Sequence, residues 1–148
     1  MPPLDYERVY RLKCRLPEMF IGINGGVADL RAAKLHLAHV DGVMLGRAAY
    51  QNPAVLTGVD SLAGDQRPEA DLFAVARRMM IYAQAHCAAG GRLAAVTRHM
   101  IGLFQGRPGA RLWRQILTVE GSRAGAGPEV IGKALDAVSA AGRLEEAA

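Results

Sequence analysis

The sequence predicts an α/β segment followed by an all-α segment. Through the first part of the chain, short apolar runs bounded by turn residues alternate with stretches of helical periodicity, a pattern typical of βα units and a parallel sheet. Beyond residue 68 the strand signal disappears and apolar residues recur only at helical spacing. We therefore expect an α/β domain at 1–58, a Gly-, Asp- and Ser-rich linker at 59–68 and a helical domain at 69–148.

The α/β segment contains five predicted elements. Apolar residues at helical spacing predict the helices, and Pro17 and Pro53 interrupt the first and the last. The strands are short apolar runs, of which the first is weakened by Gly22. In chain order the elements are a helix at 5–15, a strand at 19–23, a helix at 28–39, a strand at 41–46 and a helix that begins at 47.

The helical segment contains four predicted helices. The first ends at Gly90-Gly91, a pair typical of a helix C-terminus. The second is predicted from Leu93, Val96, Met100 and Leu103, which follow one another at spacings of 3, 4 and 3. The predicted bounds are 69–89, 92–104, 109–119 and 128–141.

Composition excludes several classes of protein. With 148 residues, 51% of them hydrophobic and 22% charged, the chain suits a globular protein rather than a disordered one. Its two cysteines, Cys14 and Cys87, do not form a disulfide framework, so we expect a reducing, cytoplasmic compartment. We expect no membrane span, because no uncharged apolar run reaches about 18 residues, and no metal site, because neither cysteine has a partner at ligand spacing.

Positive charge is concentrated in the middle of the chain. The net charge is +4, but residues 67–123 hold nine arginines against three acidic residues. Arginine suits planar, bidentate contact with phosphate. A solvated helical surface is the alternative interpretation of this charge.

The turn Asn24-Gly25-Gly26 follows the first predicted strand. Between two alternating strands, Asn-Gly would indicate a hairpin, but the next segment has helical periodicity. Glycines at a strand-to-helix junction let backbone N–H groups approach an anion. The alternative is a βα turn that only needs positive φ.

A second junction, Gly46-Arg47, closes the next strand about one βα repeat later. Two neighbouring strands would then present small or cationic groups at the same carboxyl edge. In (β/α)8 barrels, the loops after the last two strands recurrently form a phosphate site. The pattern favours such a site at Asn24, Gly25, Gly26, Gly46 and Arg47, with the guanidinium of Arg47 as its charged contact.

Arg107, Arg111 and Arg114 are spaced by four and three residues, so they share a face if a helix begins near Pro108. The helix macrodipole disfavours cations at a helix N-terminus. The cluster therefore suggests an external anion such as RNA, and Arg98 and His99 are candidates to join it.

Four motifs resemble the A branch of the tRNA-dihydrouridine synthases. They are PPLDYERVY, INGGV, DGVMLGRAAYQNP and TRHMIGLFQGRPGARLWR, and the resemblance covers nearly the whole chain. It implies a TIM (β/α)8 barrel followed by a helical bundle that grips tRNA, with FMN as cofactor and NADPH as the source of hydride. It further implies the reduction of D-loop uridines (20/20a) to dihydrouridine.

The resemblance assigns roles residue by residue. Asn24, Gly25, Gly26, Gly46 and Arg47 match positions that hold the phosphate end of FMN. Arg111 and Arg114 match positions associated with tRNA recognition. Ala48 stands where an acidic residue is usual.

The catalytic cysteine of that family, which protonates uracil, has no counterpart here, since Cys14 is not at the matching place. We therefore expect the last two βα units of the barrel and the helical bundle, a fragment without catalytic residues that does not catalyse by itself. Two alternatives remain open. One is a non-catalytic RNA-binding helical module, and the other is a different FMN barrel of the dihydroorotate type, against which the last motif argues. The oligomeric state is unknown.

Overall fold

Two short parallel strands, each followed by a helix, organise the first part of the chain. The computed structural model describes residues 3–65 and 67–146. The predicted segments also include residues 1, 2, 66, 147 and 148, which lie outside the described part. In chain order the elements are α1 (Tyr6–Arg15), β1 (Gly22–Asn24), α2 (Leu30–Leu37), β2 (Gly42–Met44), α3 (Gly46–Gln51), a 3-10 helix (Pro53–Gly58), α4 (Val59–Leu62), α5 (Leu72–Ala88), α6 (Ala94–Thr97), α7 (Ala110–Val119) and α8 (Glu129–Glu146).

The chain divides into two units with separate cores. The first unit comprises the described residues of Met1–Gln51 and Val55–Pro68. The helical unit comprises those of Asn52–Ala54 and Glu69–Ala148.

The sheet of the first unit pairs Gly22 with Gly42, Ile23 with Val43 and Asn24 with Met44 in parallel register. Its core is small: Ile21, Ile23, Val27, Ala33 and Val40 are buried, with residues of α1, β2 and α4 packed against them. The parallel pairing agrees with the βα prediction, because parallel strands need a crossover such as α2 between them.

Capping side chains determine where three helices begin. Asp5 accepts from Arg8 N at 3.0 Å before α1, and Asp29 accepts from Ala32 N at 2.7 Å before α2. Asp71 accepts from the N–H groups of Phe73 and Ala74 before α5. Each carboxylate satisfies donors that the first turn of a helix leaves free.

The core of the helical unit is larger and contains aromatic rings. Trp113 and Phe104 are fully buried, with ring centroids 4.8 Å apart in an edge-to-face arrangement that favours their quadrupoles. Trp113 Nε1 donates to Met100 O at 2.9 Å. Helices α5, α7 and α8 supply much of the remaining core.

The predicted helix at 92–104 is wrong beyond its first turn. Only Ala94–Thr97 is α-helical, and the chain continues as turns in which Met100 N bonds to Thr97 O and Leu103 N to Met100 O. These i→i+3 bonds keep an apolar spacing of about three residues, so Leu93, Val96, Met100 and Leu103 are all buried as predicted. The periodicity identified the core correctly but not the backbone conformation.

The segment predicted as a linker contains a helical turn. Val59–Leu62 forms α4, and Leu62 packs against the core of the first unit. The Gly, Asp and Ser content pointed to a loop, whereas the structure forms a helical turn here with Leu62 partly buried.

Candidate functional site

An open cleft of about 430 Å³ lies at the carboxyl end of the two strands. It is bounded by the turn after β1 and by the start of α3 after β2. All five residues predicted to hold phosphate line it: Asn24, Gly25, Gly26, Gly46 and Arg47. Val27, Ala28, Met44, Ala48 and Gln51 complete the lining. The structure thus brings the predicted set together, while its role in holding phosphate stays a prediction.

The two glycines of the turn adopt conformations that other residues rarely take. Gly25 has φ +123° and Gly26 has φ +71°, and the turn joins β1 to α2 rather than to an antiparallel strand. A Cβ on Gly26 would also collide with Tyr6 Oη and would lie 2.8 Å from Leu4 Cδ1. Position 26 therefore favours glycine for two reasons, the close approach of Tyr6 on α1 and the positive φ of the backbone.

Tyr6 is a residue that sequence reasoning missed. Its hydroxyl donates to Gly25 O at 2.8 Å, and its ring lies 4.4 Å from that of His36 between centroids. Tyr10 Oη and His36 Nδ1 are 2.6 Å apart. These contacts tie α1 to α2 and hold the turn that lines the cleft. In the sequence, Tyr6 stands three residues before Val9 in the first predicted helix, and that position indicated only a role in core packing.

The Gly46–Arg47 side of the cleft is open. A Cβ on Gly46 would meet nothing within 4 Å. Arg47 is exposed, and in residues 3–65 and 67–146 it has no ion pair. The first N–H groups of α3 have no partner within the helix. A cation and open space fit a phosphate group.

A salt bridge fixes the opposite, amino-terminal edge of the strands. Lys13 Nζ lies 2.8 Å from Asp41 Oδ2 and also donates to Pro17 O at 2.6 Å and Met19 O at 3.0 Å. Ile21 N donates to Asp41 Oδ2 at 2.8 Å. The hydrogen bond from Lys13, followed by that from Ile21, lowers the pKa of Asp41 below its usual value of 3.8.

The predicted RNA-binding arginines lie in the helical unit, and the structure groups two of them. Arg111 and Arg114 are exposed on α7, three residues apart and so on one face. Trp113 and Leu117 are buried in the core on the other side of this helix. Within the described ranges neither Arg111 nor Arg114 forms an ion pair.

The structure does not place Arg107 and Arg98 on that helical face. Helix α7 begins at Ala110, after Gly109 in a left-handed conformation with φ +77°, so Arg107 precedes the helix. It lines a different cleft, with Phe73 and Arg143 among its neighbours. Arg98 follows α6, and its Nε donates to His99 Nε2 at 3.0 Å. The shared face inferred from the spacing of Arg107, Arg111 and Arg114 therefore holds only for the last two.

The remaining candidates give no further site. Cys14 is exposed and Cys87 half-buried, and both are free thiols. Across the residues with described positions, no three His, Cys, Asp or Glu side chains are grouped to hold a metal ion. None of the helices in that part of the chain combines the length and apolar character needed to cross a membrane.

Comparison with known sequences gives a consistent result. The model of a family described as dihydrouridine synthase matches residues 1–139. The tRNA-dihydrouridine(20/20a) synthase of Shewanella oneidensis is 51% identical over 139 residues, which are 93% of this chain and 42% of that protein. The proteins of the same name from Salmonella typhimurium and Escherichia coli K12 are each 49% identical over 140 residues, 94% of this chain. The chain spans about two fifths of the length of these curated relatives.

Proposed function

This chain belongs to the dihydrouridine synthase family, and we propose that it supplies one end of an FMN site and a tRNA-binding unit to a flavin-dependent tRNA-dihydrouridine synthase. The proposed reaction is the NADPH-dependent reduction of D-loop uridines at positions 20/20a. The chain corresponds, in this proposal, to the carboxyl-terminal two βα units of the barrel and the helical domain that follows.

The cleft at the carboxyl ends of the two strands is the observation that supports the proposed FMN site. Five residues matching the phosphate-binding positions line one cavity of about 430 Å³, whose one cation, Arg47, is exposed and has no ion pair within the described ranges. FMN, when bound, supplies the hydride chemistry of the family. The part of this chain is to hold the phosphate, through the guanidinium of Arg47 and the backbone N–H groups beside Gly46.

Among the described residues that line this cleft there is no cysteine that could protonate uracil. Cys14 lies on the exposed surface of α1 and Cys87 in the helical unit. We therefore expect the 148-residue protein by itself to bind FMN weakly and not to reduce uridine. The visible absorbance of the purified protein tests this expectation: stoichiometric flavin after gel filtration would contradict it.

The proposal that the chain binds tRNA rests on the arginine face of α7, which consists of Arg111 and Arg114. Arg111 occupies the first turn of α7, where the dipole disfavours a cation, and no acidic residue lies in that turn. An external polyanion compensates for this charge. We expect Arg111→Ala with Arg114→Ala to weaken binding of an unmodified tRNA transcript by about tenfold at low salt and to reduce the salt dependence.

Fluorescence anisotropy with labelled tRNA measures both effects. The matched control is Arg77→Ala with Arg78→Ala on α5, which removes the same charge from the same unit. Equal affinities for the wild type and the α7 double variant would remove the basis for the tRNA assignment.

A non-catalytic RNA-binding role is the second candidate. The separate aromatic core of the helical unit and the excess of arginine between residues 67 and 123 favour it. The two candidate functions predict different results when this chain is co-expressed with the part of the Shewanella oneidensis relative that lies outside the alignment. Recovery of flavin binding supports the enzyme, whereas tRNA binding without any flavin in that mixture supports the module.

A further inference from the structure

A second cationic cleft lies in the helical unit, in segments separate from Arg111 and Arg114. Its walls are the last turn of α5 at Cys87, the turn Gly91–Leu93 and the glycine-rich loop that precedes α8. Its volume is about 260 Å³. Since liquid water occupies roughly 30 Å³ per molecule, the cleft has room for a phosphate group and part of its hydration shell.

Two arginines converge on this cleft from different segments. Arg92 belongs to the turn after α5, and Arg123 belongs to the loop after α7. Both are exposed, and neither forms an ion pair with any residue the structure describes. Arg92 Nη2 donates to Ser122 O at 3.4 Å, which draws its side chain toward the loop that carries Arg123. The lining thus has two positive charges and no acidic side chain.

The loop leaves space beside these charges. Gly125 has φ +76°, and a Cβ there would meet nothing within 4 Å. The nearby carboxylate of Glu129 is already engaged, because its Oε1 accepts from Gly127 N at 3.0 Å. That contact occupies the start of α8, so the attraction for an anion comes from the two guanidinium groups rather than from the helix terminus.

We propose that this cleft binds a phosphate group of the RNA backbone between Arg92 and Arg123. The inference rests on the proposed tRNA binding by the helical unit and adds a second point of contact to the arginine face of α7. Guanidinium groups on two walls of one cleft can each donate a pair of N–H groups to the same phosphate. The contact fixes the position of the strand without reading its bases.

The test uses the 148-residue chain and its double variant Arg92→Gln with Arg123→Gln. The control is Arg77→Gln with Arg78→Gln, which removes the same charge from α5. We expect the cleft variant to bind a tRNA transcript about tenfold more weakly than the control at low salt. We also expect a plot of the logarithm of the association constant against the logarithm of the salt concentration to become less steep by about one. A purely structural loss would not change this slope. Far-UV circular dichroism verifies folding.

Inorganic phosphate serves as the second probe, in isothermal titration calorimetry. A cleft built for a backbone phosphate binds the free ion only in the millimolar range. Tight, saturable phosphate binding that the cleft variant loses, with tRNA affinity equal to that of the control, would overturn the RNA assignment. Equal behaviour of the cleft variant and the control toward both probes would overturn the site itself.

The same data separate this inference from the function on which it rests. If Arg111→Ala with Arg114→Ala weakens tRNA binding while the cleft variant matches its control, only the cleft assignment fails. If the wild-type chain does not bind tRNA, the proposed function fails, and the phosphate titration alone decides whether the cleft binds anions.

Discussion

The two units of this chain differ in how well they bury their apolar residues. Among the described residues, the core of the helical unit has fifteen buried hydrophobic residues, and that of the first unit has five. Ten large hydrophobic side chains are exposed in the first unit against six in the helical unit, and Phe20 is 77% exposed. Helices packed around one core cover its apolar residues, whereas two parallel strands need layers on both faces and neighbours at both edges.

The largest expected effect is on the helical unit. Replacing Trp113 by Ala removes a fully buried ring and its hydrogen bond to Met100 O, and we expect a loss of about 3–5 kcal/mol in the free energy of unfolding. Urea denaturation followed by circular dichroism measures it. The control is Leu112→Ala on the exposed side of α7, for which we expect less than about 1 kcal/mol. Equal losses would mean that the ring is not central to the core.

Gly109 tests how closely the helical unit is packed, because it lies against the backbone of α8. A Cβ there would lie 2.7 Å from Val138 Cα and 3.3 Å from Ala137 O, and the residue has φ +77°. Because backbone atoms of α8 cannot easily move, we expect Gly109→Ala to destabilise the helical unit by on the order of 2 kcal/mol.

The control is Gly142→Ala, at which a Cβ would meet nothing within 4 Å. In the interior of α8 this change should stabilise by about 0.5–1 kcal/mol. Thermal unfolding of the two variants gives opposite shifts if the close approach of α7 and α8 is as described. A neutral Gly109→Ala would refute that packing.

A smaller effect is expected in the first unit. Gly26→Ala combines a positive φ with a collision against Tyr6 Oη, so the hydrogen bond from Tyr6 to Gly25 should be lost. We expect about 1–2 kcal/mol of local destabilisation, measured by amide hydrogen exchange in β1 and β2. Gly46→Ala, which faces open space, should leave exchange nearly unchanged. If both variants exchange alike, Tyr6 does not hold the turn.

The smallest expected effect depends on pH. Hydrogen bonds from Lys13 and Ile21 lower the pKa of Asp41 in the folded state, so this carboxylate stabilises the first unit at neutral pH. The stabilisation is lost as the pH falls below 3.8 and through the lowered folded-state pKa. We expect Asp41→Asn to reduce the acid sensitivity of hydrogen exchange in β1, with Glu18→Gln as control. An unchanged acid response in Asp41→Asn would show that this network contributes little.

Much of the architecture was predictable because local signals agree with it. Alternating apolar runs and helical segments predicted the two parallel strands, and Gly90-Gly91 predicted the end of α5. The turns at 98–106 were not predictable from periodicity, since i→i+3 turns and a helix bury nearly the same positions. The ends of the strands were placed within three residues, as backbone pairing rather than hydrophobicity determines them.

The candidate site was predictable to a similar extent. Turn glycines and an arginine, one βα repeat apart, indicated the residues of the first cleft because parallel strands end at one edge of the sheet. Tyr6 and Lys13 were missed, since their roles depend on partners far along the chain, which are the carbonyl of Gly25 for Tyr6 and the carboxylate of Asp41 for Lys13. Arg107 was misplaced because Gly109 starts α7 later than Pro108 suggested.

The buried position of Trp113 has an optical consequence. It is the single tryptophan of the chain, and it lies in the helical unit against Phe104, out of reach of water. Its emission should therefore be blue-shifted in the folded protein and should report on the helical unit alone. Recorded beside a global probe such as circular dichroism, this natural fluorophore would reveal whether the two units melt together or one after the other.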